Sequence, residues 1–387
     1  MAGVMPPTPK AVFAYARDQV EQAAYGLWPG AELTMGLVTP SVTSYVQQLD
    51  VAGRPLYAKL SVLGVSLVSL LRGACGDWKA VQDAQAVYVA SPHSLLEREA
   101  AQLAALAGPA DLHVPQVVGY GRGVLFTVPA HGPTLADLIS KAPGRTAELL
   151  ELVTGEVAAG LSRRGVAARV ERSEIRERSI TVTFLRKFSS RSRTEYLWES
   201  EHAEVLAAVV MRLRRAQRAP APPGRAVVFG DLKPEHVVFP DGAEGRPVFL
   251  DPGLMRGRPA GDAAKLVSRT VLSLVARPPD GSKDVRAILG GIAAFAASMT
   301  ARTDRAGRDA WLRQLTVLWL MDTTNILSTY LSAPPGLPLG GHAAAVTARA
   351  KVVCDMLDRS TAALLSVRDA RSVWRLCLDN AAKAAAS

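Results

Sequence analysis

The chain has little cysteine, no apolar run long enough to cross a bilayer, and no basic stretch leading into an apolar core at its start. Three cysteines in 387 residues, Cys75, Cys354 and Cys377, lie far apart without paired spacing. That excludes a C-x-x-C metal or redox site and a disulfide framework, and buried thiols are expected instead. The longest apolar runs, 61–71 and 287–301, fall short of the roughly 20 residues that a membrane span requires. The opening MAGVMPPTPKAVFAYARDQVEQ carries no export pattern, so a soluble, cytoplasmic protein without a membrane partner is expected. G-x-x-x-x-G-K-[ST], G-x-S-x-G and H-E-x-x-H are all absent, which leaves P-loop, serine-hydrolase and zincin chemistry unsupported. With 49% hydrophobic and 21% charged residues the chain is too apolar for disorder and long enough for two packed lobes.

The formal charge is +10, but its distribution argues against nucleic acid as a partner. Residues 1–128 hold 8 Lys+Arg against 9 Asp+Glu, residues 129–255 hold 19 against 16, and residues 256–387 hold 18 against 10. The surplus sits mostly in the last third, as arginines scattered through alanine-rich helical text without interleaved aromatics. A solvated surface fits that pattern better than a nucleic-acid groove.

Periodicity gives a coarse order of elements. A helix near 10–25 precedes a strand, a small-residue loop and a β-hairpin whose strands are 45–49 and 55–60. A Gly/Ser-rich insertion at 61–91 follows. In SLLEREAAQLAALAG the residues Leu95, Leu96, Leu103 and Leu106 share one helical face, which ends at Gly108. VPQVVGYGRGVLFTVPA reads as two short strands about a Gly-rich turn, and LADLISKA as a short helix. From about 145 the text is helical, with strand-like β-branched content at 179–186. Segment 163–193 reads as a solvated helical hairpin or a basic substrate flap, and 220–224 ends the helix before it. VVFGDLKPEHVVFPDGAEGRPVFLDPG gives two short strands bracketing an Asp-Gly turn. The rest is helical.

The informative text is Gly230-Asp231-Leu232-Lys233-Pro234-Glu235-His236, followed fifteen residues later by Leu250-Asp251-Pro252-Gly253. Phosphoryl transfer requires a carboxylate that positions the acceptor and ligands for divalent metals that neutralise nucleotide phosphates. In kinases these are a catalytic-loop Asp, a residue five positions on, and a second Asp after the next hairpin. Asp231, His236 and Asp251 have that spacing. The stretch resembles the protein-kinase-like phosphotransferases, specifically the aminoglycoside phosphotransferase and small-molecule kinase family.

The resemblance implies an α+β, two-lobed protein-kinase-like fold. A small antiparallel β-sheet lobe with one key helix (1–128, with the insertion) would bind nucleotide, and a larger, mainly helical lobe (129–387) would carry the catalytic loop at 229–253 and the acceptor. It implies Asp231 as catalytic base, His236 and Asp251 as ligands of Mg2+ or Mn2+, and ATP or GTP as donor. Phe229 replaces the usual His, and His236 the usual Asn; imidazole is the softer ligand. Lys59 would meet the nucleotide phosphates, with Glu99 holding it and Glu97 as the second choice for that position. Ser41 and Thr43, in a loop without repeated glycines, would cap phosphates. The segment 126–129, including Thr127 and Pro129, would be the hinge whose backbone reads the purine edge. Asp262 would brace the catalytic loop or cap its helix.

After Asp251 the chain has ten Asp, no Glu and eighteen Lys+Arg. Polycationic acceptors require clustered carboxylates, so a neutral or anionic small hydroxylated acceptor is expected, with Asp322, Asn325 and Trp319 as contact candidates. Two other classes stay open. His236 and the Gly-poor loop allow a pseudokinase that binds nucleotide without transfer, against which Asp231, Asp251 and Lys59 weigh. Segment 163–193 allows a kinase of a macromolecule, against which the missing A-P-E text weighs.

Overall fold

The structure, a computed structural model, describes residues 6–189, 200–217, 226–279 and 281–387. Helix α1 (Pro9–Leu27) starts where the Thr8 hydroxyl accepts the Ala11 N–H at 3.2 Å, with Pro9 in the first turn. Strands β1 (Leu33–Thr39), β2 (Tyr45–Val51) and β3 (Arg54–Leu60) follow. Helices α2 (Leu67–Leu71), α3 (Trp78–Val89) and α4 (Leu95–Ala107) lead to β4 (Val117–Gly121) and β5 (Val124–Thr127). The five strands form one antiparallel sheet in the order β1-β2-β3-β5-β4. Its two tight hairpins turn on Ala52-Gly53 and Arg122-Gly123, all four at positive φ, which matches the twist of the flanking strands.

Alternation along β3 decides which side chains face the cleft. Leu56, Ala58 and Leu60 are buried against Ala16, Val20 and Ala24 of α1, so Lys59 points to the opposite face. On that face Leu125, opposite Lys59 in the register, packs against Leu96 and Leu103 of α4. The helix therefore lies beside Lys59, as the sequence periodicity predicts.

The rest of the described chain is mainly helical: α5 (Leu135–Lys141), α6 (Thr146–Leu161), α7 (Val166–Arg172), α8 (Ile180–Lys187) and α9 (Ala203–Gln217). Short strands β6 (Ala226–Val228), β7 (Val237–Val238), β8 (Val248–Phe249) and β9 (Met255–Gly257) pair as β6 with β9 and β7 with β8. Helices α10 (Ala260–Ala276), α11 (Ser282–Ser298), α12 (Arg305–Leu331), α13 (Gly341–Ala348), α14 (Ala350–Ser366) and α15 (Ala370–Ala386) complete it. Nearly every residue of α10 is buried, so it is the axis of the helical lobe. This is the two-lobed α+β architecture that the sequence implies. Among the described residues no helix is long and apolar enough to cross a membrane.

Two readings of the sequence, the strand-like text at 179–186 and a buried Cys75, need correction, and the insertion at 61–91 gains elements that the sequence left unassigned. The β-branched text at 179–186 is helix α8, because Ile180, Phe184 and Phe188 recur every four residues and bury one stripe beside α12. The insertion at 61–91 holds two helices, α2 and α3, with Gln85 accepting the Leu63 N–H at 2.7 Å and donating to Ser61 O at 3.1 Å. Cys354 and Cys377 are buried, with thiols pushed up to about 12 by burial, whereas Cys75 is half-exposed. The expected helix end at 220–224 and the last residues of segment 163–193 lie outside the described residues.

Candidate active site

The loop between β6 and β7 turns on Gly230, at φ +81, where a Cβ would stand 2.0 Å from Gly253 O. Only glycine fits that approach. Asp262, in the first turn of α10, accepts the Phe229 and Gly230 N–H groups at 2.7 Å each. It is a brace on the loop from within the helix, not a helix cap, since Pro259 occupies the cap position. Burial, countered by those two N–H groups, raises its carboxyl to about 6.

Held this way, Asp231 is buried but lines the cleft. Lys233 Nζ lies 2.9 Å from its Oδ2, and Lys265 of α10 donates to its Oδ1. Burial alone would raise the Asp231 pKa; Lys233 and Lys265 outweigh it and hold the group well below the carboxylate range. Burial in turn lowers the Lys233 ammonium, an effect partly offset by Asp231.

His236 ends a 3-10 turn whose N–H bonds to Lys233 O at 2.9 Å, and its carbonyl accepts the Leu250 N–H at 2.8 Å. Burial and the nearby Lys233 lower its pKa to about 4, so the ring is neutral at pH 7. Its Nε2 is 3.9 Å from Asp251 Oδ2, and its buried Nδ1 has no hydrogen-bond partner. Among the described residues no group of three or more His, Cys, Asp or Glu converges. A cation here would take Asp251 Oδ2 and one imidazole nitrogen from the protein and the rest of its oxygens from bound phosphates, as small hard cations commonly do. The pair fits that role, with the nitrogen tilting preference towards softer ions.

Asp251 is in the left-handed region, φ +51. Lys59 Nζ bonds to its Oδ1 at 2.8 Å and to both oxygens of Glu99 at 2.9 and 3.0 Å. Burial pulls the Lys59 ammonium down, but Asp251 and Glu99 overcome it and raise the pKa. Of the two glutamates considered on α4, Glu99 makes the pair, being one turn along the buried face from Leu95 and Leu96. Lys59, Glu99, Asp231, His236 and Asp251, predicted from separate parts of the sequence, are thus brought together.

Ser41 and Thr43 lie in the loop between β1 and β2. Ser41 Oγ accepts the Thr43 N–H at 3.2 Å and the Ser44 N–H at 3.3 Å, which shapes the loop without repeated glycines. Both residues line two adjoining cavities of about 450 and 560 Å³, which also share Lys233, His236 and Arg269. The smaller holds Lys59, Asp231 and Asp251. Thr127 and Pro129 lie at the end of β5 and just beyond it, half-buried, and line neither cavity; the Val128 N–H between them is taken by Gln116 O at 2.9 Å.

Of the acceptor candidates, Asp322 and Asn325 line the smaller cavity, Asp322 paired with Arg269 at 3.0 Å and Asn325 Nδ2 donating to Ile180 O at 3.2 Å. Trp319 does not. It is fully buried between α12 and α15, edge-on to Trp374 at 5.6 Å. Several cations of the site are absent from the sequence reading, Arg269 among them. Lys233 sits inside the motif text, and Lys265 one turn after Asp262; both positions were open to inspection. Arg178 is buried against Glu99 and the Asp251 loop, and Lys187 is buried beside α12, so segment 163–193 is not simply a solvated hairpin. Nothing local to Arg178 announces its place.

No protein-family model matches the chain, and no curated protein matches it in sequence. Solved structures of similar chain course include an ethanolamine kinase from Plasmodium vivax (10% identity, TM-score 0.48, covering 92% of each chain). An aminoglycoside-3′-phosphotransferase of type VIII has 21% identity and a TM-score of 0.46, over 78% of this chain and 98% of that one. LicA in complex with AMP has 13% identity and a TM-score of 0.47, over 89% of this chain and 98% of that one.

Proposed function

We propose that the protein is a phosphotransferase of the small-molecule kinase kind, moving the γ-phosphoryl group of ATP or GTP to a hydroxyl of a small acceptor. One observation carries the reading. Lys59, locked by Glu99, meets Asp251 beside His236 in the same cavity as Asp231 and its two lysines. In this reading residues 1–128 bind the nucleotide and 129–387 the acceptor. Lys59, Ser41 and Thr43 hold the phosphates, and the base would reach beyond the cavities to the backbone near Thr127 and Pro129, where carbonyls must read it because the Val128 N–H is taken by Gln116 O.

His236 and Asp251 would hold Mg2+ or Mn2+, which supplies neutralising charge to the phosphate oxygens. Asp231 accepts a hydrogen bond from the acceptor hydroxyl and aligns its oxygen with phosphorus. As the new O–P bond forms and the bond to the nucleoside diphosphate breaks, the hydroxyl proton passes along its hydrogen bond to Asp231 and from there to solvent in the cleft. Asp231 does not retain it, because Lys233 and Lys265 keep the carboxyl ionised. Those two ammonium groups, beside Asp231, would also offset the charge that gathers on the transferred oxygens.

The acceptor we infer is neutral or anionic. The four carboxylates on the smaller cavity are each already matched: Glu177 with Arg98, Asp231 with Lys233, Asp251 with Lys59, and Asp322 with Arg269. The adjoining cavity adds Asp137, which caps α5, and Glu235, so among the described residues no cluster of free acids awaits a polyamine. Cytoplasmic residence and a role in antibiotic resistance or natural-product synthesis are extensions of this reading.

The test is thermal unfolding with ATP or GTP, with and without Mg2+ or Mn2+. Ligand at 100 times Kd stabilises the native state by about 2.7 kcal/mol. A metal-dependent rise in midpoint with one nucleotide, lost in Asp251→Ala, is expected. No rise in any combination would overturn the donor site.

A further inference from the structure

Arg178 connects three parts of the site that the loop and the sheet do not connect themselves. It is the last residue of a short 3-10 turn (Arg176–Arg178) between α7 and α8. Its Nη2 lies 2.6 Å from Glu99 Oε2, on the helix of the sheet lobe. Its Nη1 donates to Asp251 O and Pro252 O at 2.8 Å each, in the helical lobe. Its own carbonyl accepts from Lys265 Nζ at 3.1 Å, the same ammonium that bonds to Asp231. One guanidinium fork thus fixes the carboxylate that holds Lys59 and the backbone that carries Asp251.

The surroundings are built for it. Gly253 leaves room for the arginine stem, since a Cβ there would meet Arg178 Cδ at 2.8 Å. The preceding residues are clamped in the same place: Arg98 Nη1 donates to Glu174 O at 2.5 Å, Gln102 Oε1 accepts the Leu254 N–H at 2.8 Å, and the Ile175 N–H bonds to Leu254 O at 3.1 Å. A left-handed backbone at a non-glycine residue such as Asp251 persists only where its surroundings over-determine it. Two donors on consecutive carbonyls do so here.

We propose that Arg178 is a positioning residue: it holds α4 against the helical lobe so that the Lys59–Glu99 pair and Asp251 are assembled before nucleotide arrives. Segment 173–178 is then a brace between the lobes, and α4 has no freedom to swing away from Lys59. A guanidinium is required because one planar fork serves a carboxylate and two carbonyls at once, which a lysine ammonium does not reproduce. The proposal rests on the phosphotransferase reading, because it acts through the nucleotide site.

The experiment is a double-mutant cycle on the affinity for Mg2+ with a non-hydrolysable ATP analogue, measured by calorimetry on wild type, Arg178→Ala, Lys59→Ala and the double variant. Groups that act through one carboxylate are coupled, and unrelated groups add. Arg178→Ala is expected to weaken binding about tenfold in the wild type and only about threefold once Lys59 is gone, the remainder being its hold on the Asp251 backbone, and Arg178→Lys to recover only part of the loss. An equal loss in both backgrounds, or full recovery by lysine, overturns the positioning role while leaving the nucleotide site standing. No binding by the wild type overturns the phosphotransferase reading itself. If Arg178→Ala does not fold, the same cycle run with Arg178→Lys decides by the same comparison.

Discussion

Lys233 Nζ stands 2.9 Å from Asp231 Oδ2, two residues along the same loop. A cation that close, with Lys265 on the other oxygen, makes Asp231 a poor resting place for a proton and a good fixed acceptor for a hydroxyl hydrogen bond. The loop therefore contributes orientation and charge more than basicity.

Asp231→Asn removes the fixed charge that aligns the hydroxyl and should lower turnover about 100-fold or more, the scale of losing one preorganised electrostatic group, while nucleotide affinity stays near wild type. Parallel measurement of phosphoryl transfer and of nucleotide binding checks this. Unchanged turnover would remove Asp231 from the mechanism.

His236→Asn exchanges an imidazole for an amide oxygen in the pair with Asp251. Harder oxygen ligands suit Mg2+ better than nitrogen does. The ratio of Mn2+-supported to Mg2+-supported nucleotide stabilisation should fall by several-fold in the variant. A ratio that does not move would mean that His236 stays out of the coordination sphere.

The same histidine and Asp262 pull stability in opposite directions with pH. The folded protein keeps His236 neutral down to about 4, whereas the unfolded chain takes up that proton below about 6.5, so this contribution is complete above pH 6.5 and is lost towards pH 4. Asp262 binds its proton from about 6 downwards in the folded protein but near 3.8 when unfolded, so its contribution grows over nearly the same window. In the metal-free protein, His236→Asn should gain stability relative to wild type as pH falls from 6.5 to 4, and Asp262→Asn should lose it. Urea unfolding midpoints at pH 7, 5.5 and 4 test the signs; curves that shift in parallel would refute them.

Trp319→Ala should cost about 3–5 kcal/mol through the cavity it opens beside Trp374. Trp319→Phe should cost less, because the indole N–H is buried without a partner and its loss removes that penalty. Neither change should alter nucleotide affinity in the protein that remains folded. Denaturant unfolding and calorimetry separate the two effects.

What the sequence disclosed follows from how local each signal is. The hairpins, α4 and the loop from Gly230 to Gly253 depend on spacing within about twenty-five residues, and spacing survives in text. Lys59 and Glu99 are forty residues apart, yet strand alternation and helix periodicity each point a side chain to the same face. Trp319 and Asp322 lie three residues apart, only about 60° around a helix, and both are buried, so nothing in the text says that one packs on Trp374 while the other meets the cleft. Helix α8 misled because Ile180, Val182 and Thr183 favour strands, while the burial of Ile180, Phe184 and Phe188 beside α12 overrides that preference. Arg178 depends on a fold-level encounter with residues more than seventy positions away in both directions.

The missing side chain at Gly253 has an evolutionary consequence. Any larger residue there meets the Arg178 stem, so positions 178 and 253, seventy-five residues apart, are linked loci. Drift at one is barred until the other retreats, and a descendant that loses the arginine would be the first in which the glycine is free to vary.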